Sequence, residues 1–166
     1  MNTNTGKPAA PSVQPCELAR AWLSRVKRQT EEVESRTFRL QTVRAAASRI
    51  TAALGQDPVV HSRNTSAMDD SVARIMEAEN ALADAFADLL DITEEVSELL
   101  GRFHDSDCRR VMELIYISFR KPSDIAEDMK CSRRWISELH QKGLRIVQRL
   151  LEEREGTEEG MNPPAP

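Results

Sequence analysis

The stretch Ser123-Asp124-Ile125-Ala126-Glu127-Asp128-Met129-Lys130-Cys131-Ser132-Arg133-Arg134-Trp135-Ile136-Ser137-Glu138-Leu139-His140 decides how this chain is read. Pro122 precedes it, and Ser123 and Asp124 suit the opening of a short helix. Ile125, Ala126 and Met129 share one face of that helix, and the small Ala126 permits close crossing by a neighbour. Lys130-Cys131 makes a turn, with Cys131 a compact apolar plug. Ser132 is placed to cap a second helix. Ile136 and Leu139 anchor that helix on the same small core, with Val147 and Leu150 further along. Arg133, Arg134, Ser137, Glu138 and Gln141 are left facing outward. Polar groups on the first two turns of a helix held from beneath are what a helix needs to enter the DNA major groove, so the spacing predicts a helix-turn-helix.

Charge supports the same expectation locally. Residues 132–149 hold five Arg/Lys against one Glu, +4 in a chain whose net charge is −4. An arginine can bind a guanine edge in bidentate fashion and a glutamate can accept from cytosine. Ser132, Lys142, Arg145 and Arg149 suit phosphates. Trp135 reads either as core or as a contact to the DNA backbone. Just upstream, Asp105 or Ser106 can cap a helix with Cys108, Val111, Met112, Ile115 and Phe119 on one side, ended by Arg120-Lys121-Pro122. The DNA-binding unit is therefore expected over 105–154.

These residues carry a resemblance. Ser132-Arg133, the apolar pair Ile136 and Leu139, and Lys142-Gly143-Leu144-Arg145 resemble the recognition helix of sigma-factor region 4, and Asp124 to Met129 resembles the helix before it. From about Leu18 to Leu151 the chain is similar to phage-encoded sigma-region-4-like transcriptional regulators of the ArpU type, with Tyr116-Ile117 and Leu139-His140 at matching places. The resemblance implies a duplex-DNA-binding regulator in the cytoplasm of a bacterial host, acting alongside RNA polymerase. Three departures stand out. Lys130 occupies the turn position where the family carries Gly, Arg134 stands where Glu is common, and Gly143 replaces a usual Ala, which weakens a helix slightly.

Upstream, Glu17 to Leu54 contains neither Gly nor Pro. Val26, Val33, Leu40, Ala47 and Leu54 form one column of a heptad ladder; Trp22, Gln29, Arg36, Val43 and Ile50 form the other, polar in its middle. Gly55 is expected to end this helix and Asp57-Pro58 to prevent a restart, giving a polar loop over 56–67. A second helix is expected over 69–101, opened by Asp69 and Asp70, with the ladder Val72, Ile75, Glu79, Leu82, Phe86, Leu89, Thr93, Val96 and Leu100, continuing to Phe103. Residues 17–54 carry eight Arg/Lys against four Glu, and residues 69–100 carry one Arg against ten Asp/Glu. Opposite charge, similar length and a short link predict a long antiparallel, coiled-coil-like helical hairpin over 17–103. Two helices alone leave part of each apolar stripe wet, so a homodimer through this hairpin is expected.

The expected fold class is all-α: few aromatics and abundant Ala, Leu, Glu and Arg favour helices. Residues 1–16 and 155–166 read as disordered arms. No apolar run reaches the ~18 residues of a membrane span. Three scattered cysteines, Cys16, Cys108 and Cys131, and three scattered histidines, His61, His104 and His140, offer no metal spacing, so neither a metal nor another cofactor is expected. With no catalytic set in view, the chain reads as a non-enzyme. A small terminase subunit, which also joins a helix-turn-helix to oligomerising helices, and a helical adaptor that does not touch DNA are the rival readings.

Overall fold

The computed structural model describes residues 16–54 and 61–159, with side chains placed at 16–52 and 67–154. Among these the chain is all-α, with five helices: α1 Glu17–Leu54, α2 His61–Gly101, α3 Ser106–Tyr116, α4 Pro122–Asp128 and α5 Arg133–Glu159. The expected roles of Gly55 and Asp57-Pro58, of Leu54 as a seam side chain, of the arm before Cys16 and of residues 160–166 lie outside the described residues. No described helix is long and apolar enough to cross a membrane.

α1 and α2 pack along their length, and their polar pairs occur in opposite order. Arg25 bridges Glu95 at 2.9 Å, Gln29 donates to the Ala85 carbonyl at 3.1 Å, Arg36 to the Ala81 carbonyl at 3.2 Å, and Arg44 bridges Glu79 at 2.5 Å. The polar centre of the second α1 column thus has a physical role. Gln29 and Arg36 lie over alanines, whose short side chains leave α2's carbonyls open to a donor. Val26, Val33 and Leu40 are buried.

The ladder expected on α2 is partly displaced. Ala78, Ala85, Val96, Leu99 and Leu100 are buried, while Val72 is 50% and Phe86 48% exposed, and Glu79 lies outside the core with Arg44. Close approach at Ala78 and Ala85 turns the helix toward its small residues, and the bulkier side chains one step round face solvent. α2 also starts at His61 rather than at Asp69. No Gly or Pro lies between His61 and Asp69, so extending a nucleated helix backward costs little there. At the other end α5 runs to Glu159, past the expected limit at 154.

The principal core lies where all the helices meet. Leu23 and Val26 of α1, Val96 and Leu100 of α2, Val111 and Met112 of α3, Ile125 of α4, and Ile136, Leu144 and Val147 of α5 are fully or almost fully buried. Asp105 is the N-cap of α3, its Oδ1 accepting from the Asp107 and Cys108 amides at 3.1 Å. α3 ends at Tyr116. Phe119, expected on its buried face, lies beyond the helix at φ 51° and is 41% exposed. The Arg120 amide donates back to the Leu114 carbonyl at 2.9 Å, so the reversal that satisfies this orphan carbonyl carries the Phe119 ring away from the core.

Gly143 allows α5 to lie against α3. A Cβ at that position would stand 2.5 Å from Met112 Sδ and 2.6 Å from its Cγ. Met112 occupies the place that an alanine methyl at 143 would take. Gly143→Ala gains up to ~1 kcal/mol of helix propensity but must displace a fully buried side chain, an overpacking cost of ~1–3 kcal/mol. Denaturant unfolding is expected to show a net loss of stability, and Met112→Ala introduced with Gly143→Ala should destabilise less than the two single losses combined, as expected for residues in contact.

Candidate nucleic-acid interface

The Met129, Lys130 and Cys131 amides in the turn between α4 and α5 all donate back into α4. Lys121 is the N-cap of α4 and makes no side-chain cap, while Pro122 occupies the first turn; Ser123, expected to cap, lies inside the helix with its hydroxyl on Asp124. Proline lacks the N–H that a first-turn residue would leave unpaired and its φ is already helical, so it opens the helix one step earlier than Ser123 would. At the C-terminal end Met129 is the last right-handed residue and Lys130 is left-handed, with φ 52°. The Lys130 amide donates to Glu127 O at 3.2 Å and the Cys131 amide to Ala126 O at 3.0 Å. These two bonds define a Schellman motif, with the half-buried Cys131 placed over Ala126. Ser132 then caps α5, its Oγ accepting from the Trp135 amide at 3.1 Å.

α5 is held from beneath by Ile136, Leu139, Leu144 and Val147, all at most 3% exposed. At ~100° per residue, Arg134, Glu138, Gln141, Arg145 and Arg149 fall on the opposite side. Arg133, Arg134, Ser137, Glu138, Lys142 and Arg145 are exposed, as is Ser132, and Gln141 is half-buried. The two leading arginines differ in environment. Arg134 is bound by Glu138 one turn on, at 2.9 Å, in a pair whose Arg side chain is 89% exposed. Arg133 has no ion pair or hydrogen bond among the described residues; nor do Arg145 and Arg149. None of these guanidiniums is drawn onto the acidic α2. Trp135, undecided in the sequence, is 45% exposed.

Lys142 lies elsewhere in the electrostatics. Its Nζ contacts Asp105 Oδ2 at 2.5 Å, tying α5 to the N-terminus of α3. This hydrogen bond holds the Asp105 carboxyl below its ordinary value and raises the Lys142 ammonium. Nothing in the sequence pattern marks Asp105 and Lys142 as neighbours, because they are brought together only by the α3–α5 crossing.

His140 is on the inner flank of α5. Its Nε2 and the Tyr116 hydroxyl share a hydrogen bond of 3.0 Å, and the rings stack at 5.7 Å between centroids. Burial, followed by the nearby Arg20 charge, lowers the His140 pKa, and burial raises that of Tyr116. Cys108 lies in the core, its Sγ–H donating to Leu139 O at 3.3 Å, and burial pushes its thiol up to about 11. A thiol so hard to ionise is a poor nucleophile. An open groove between α1 and α2 is lined by Arg25, Arg28, Arg36, Asp84 and Asp88 and contains no residue of α5. The described residues contain no group of three or more His, Cys, Asp or Glu placed to hold a metal ion.

Lys130→Gly is expected to stabilise the turn by ~1 kcal/mol, since a left-handed conformation costs a side chain about that much, and urea midpoints at unchanged slope would measure it. Protonating His140 is unfavourable in the folded protein, so the unfolded chain binds that proton more readily. The stability it contributes is present above pH 6.5 and declines as pH falls below that value. Thermal unfolding from pH 8 to pH 5 should therefore show a shallower decline for His140→Gln than for the wild type.

Compared with models of known protein families, with curated proteins and with solved structures, the chain matches none.

Proposed function

We propose that the α4–turn–α5 unit is a helix-turn-helix of the kind found in sigma-factor region 4, and that this protein is a sequence-specific duplex-DNA-binding transcriptional regulator of phage type rather than an enzyme. The observation that carries the reading is a helix capped by Ser132 and anchored by Ile136 and Leu139, immediately after a Schellman turn, with Arg145 and Arg149 on its opposite side and Arg133 at its start, all exposed and without an ion pair among the described residues. A recognition helix needs both halves of that arrangement: a rigid apolar underside and free donors on the opposite face.

In this reading Arg133, Arg134, Ser137, Glu138 and Gln141 meet base edges. Ser132, Arg145 and Arg149 meet phosphates, as does Lys142 once it exchanges Asp105 for a phosphate oxygen. Arg134 and Glu138 enter the groove as a linked pair, each orienting the other. The α1–α2 unit acts as a coiled-coil-like hairpin that joins two copies, and RNA polymerase is the partner through which regulation is exerted. A net charge of −4 keeps non-specific binding weak, so a basic patch confined to α5 must work with strong salt dependence.

Selection of bound duplexes from a random pool at two salt concentrations tests the reading. A recurring motif is expected at both. Arg133→Ala and Arg134→Ala should each cost ~1–3 kcal/mol of binding to it and relax preference at one position, whereas Arg149→Ala should weaken all sequences alike and reduce the salt slope by about one. A pool with no enriched motif would refute the proposal.

A further inference from the structure

α2 presents a second apolar face that this chain does not cover. Met68, Val72, Met76, Phe86 and Leu90 are 48%, 50%, 57%, 48% and 69% exposed. At ~100° per residue they form one stripe beside the face that packs on α1. We propose that this stripe is the contact between two copies of the chain, lying antiparallel across a two-fold axis at Glu79.

Spacing is the first argument. Met68 and Leu90 stand eleven residues either side of Glu79, Val72 and Phe86 seven, and Ile75 and Ala83 four. An antiparallel pair of identical helices places such positions opposite one another: Met68 against Leu90 of the partner subunit, and Val72 against Phe86 of the partner subunit. A surface that is self-complementary about its own midpoint is what an isologous contact requires.

Charge is the second argument. Ten acidic residues lie between 69 and 100, and like charges would normally prevent α2 from meeting itself. However, Asp70, Glu77, Asp84, Asp88 and Glu95 recur at helical spacing roughly half a turn round from the stripe, and Asp69, Asp91, Glu94 and Glu98, on its outer flank, lie toward its two ends. The outer flank of the stripe carries Ala73, Asn80 and Ala87 over its middle. Glu79, at the axis, has its charge met within the chain by Arg44 at 2.5 Å. The one side of α2 with its centre cleared of uncompensated carboxylate is the side with the exposed apolar groups. A basic peptide would gain nothing from that clearance, whereas a second copy needs it.

The stripe spans about 33 Å at ~1.5 Å per residue. The geometry also sets a spacing on DNA, a consequence that rests on the regulator reading. Each α2 extends about 33 Å from the axis to Gly101, so the two DNA-binding units lie roughly 66 Å apart, close to two turns of B-DNA at ~34–36 Å per turn. The target is then an inverted repeat with half-site centres about 20 base pairs apart.

Sedimentation equilibrium of the full chain tests the interface without reference to DNA. A mass twice the 18.7 kDa of one chain is expected. Phe86→Glu, at a half-exposed position, should weaken association at least tenfold with unchanged helical circular dichroism. Adding Val72→Lys, which sets a lysine against that glutamate across the axis, should restore most of the loss. A monomer at 50 µM (a concentration of roughly the usual working order for such contacts), a ring of eight or more copies, or a Phe86→Glu variant that still dimerises fully would each overturn the proposal. A dimer that obeys the Phe86 and Val72 outcomes yet enriches no duplex supports the interface and removes the regulator reading. A monomer that binds one half-site does the reverse.

Discussion

The close contact between Gly143 and Met112 is the constraint from which the arrangement of the C-terminal half follows. With no Cβ at 143, α5 settles against α3 until the Met112 thioether fills the space, and both residues are fully enclosed. That approach brings Lys142 to Asp105 and His140 to Tyr116. It also sets the rotation of α5 about its own axis, so that Ile136, Leu139, Leu144 and Val147 point inward together and Arg134, Glu138, Gln141, Arg145 and Arg149 point away. The outward face is thus a by-product of one tight crossing.

The same core joins the two halves of the molecule. Leu23 and Val26 near the start of α1 and Val96 and Leu100 near the end of α2 are buried in the cluster that holds α3, α4 and α5. Gln148 on α5 reaches the Ala19 amide at 3.0 Å, and Arg154 approaches Glu95 at 3.7 Å. α5 is therefore anchored to the long helices as well as to its own short neighbours, so a force on α1 or α2 is transmitted to the face that carries the arginines. Away from this junction the α1–α2 contact changes character. Alanines, Gln29 and Arg36 alternate with Val33 and Leu40, and side-chain donors on backbone carbonyls supplement the apolar packing. Such bonds hold register well but add little net stability, ~0.5–1.5 kcal/mol each. The junction end of the long helices is consequently the well-anchored one.

All five helices were legible in the sequence, because each depends on local chemistry. Freedom from Gly and Pro marks α1. Asp105 and Ser132 mark the starts of α3 and α5, where a short oxygen-bearing side chain satisfies an otherwise unpaired amide. The turn at Lys130-Cys131 was legible too; that Lys130 is the left-handed residue in it is what the structure adds. The outward set on α5 was readable from the spacing of its apolar residues alone. Less readable was which α2 residues would face α1: Val72 and Phe86 fit a heptad ladder as well as Ala78 and Ala85 do, and hydrophobicity favours the wrong pair.

The sequence by itself determined that these helices form, that Asp105 and Ser132 open α3 and α5, and which side of α5 is polar, since caps and periodicity act within a few residues of the chain; the start of α2 and the ends of α3 and α5 fell elsewhere than the pattern suggests. Tertiary structure alone decided the rotation of α2, the close fit of Met112 against Gly143, the tether between Lys142 and Asp105, and that Arg133 meets no partner among the described residues. Each of these depends on the distance between two backbones far apart in the chain. That distance is set by how small the side chains are where helices cross, and no local pattern encodes it.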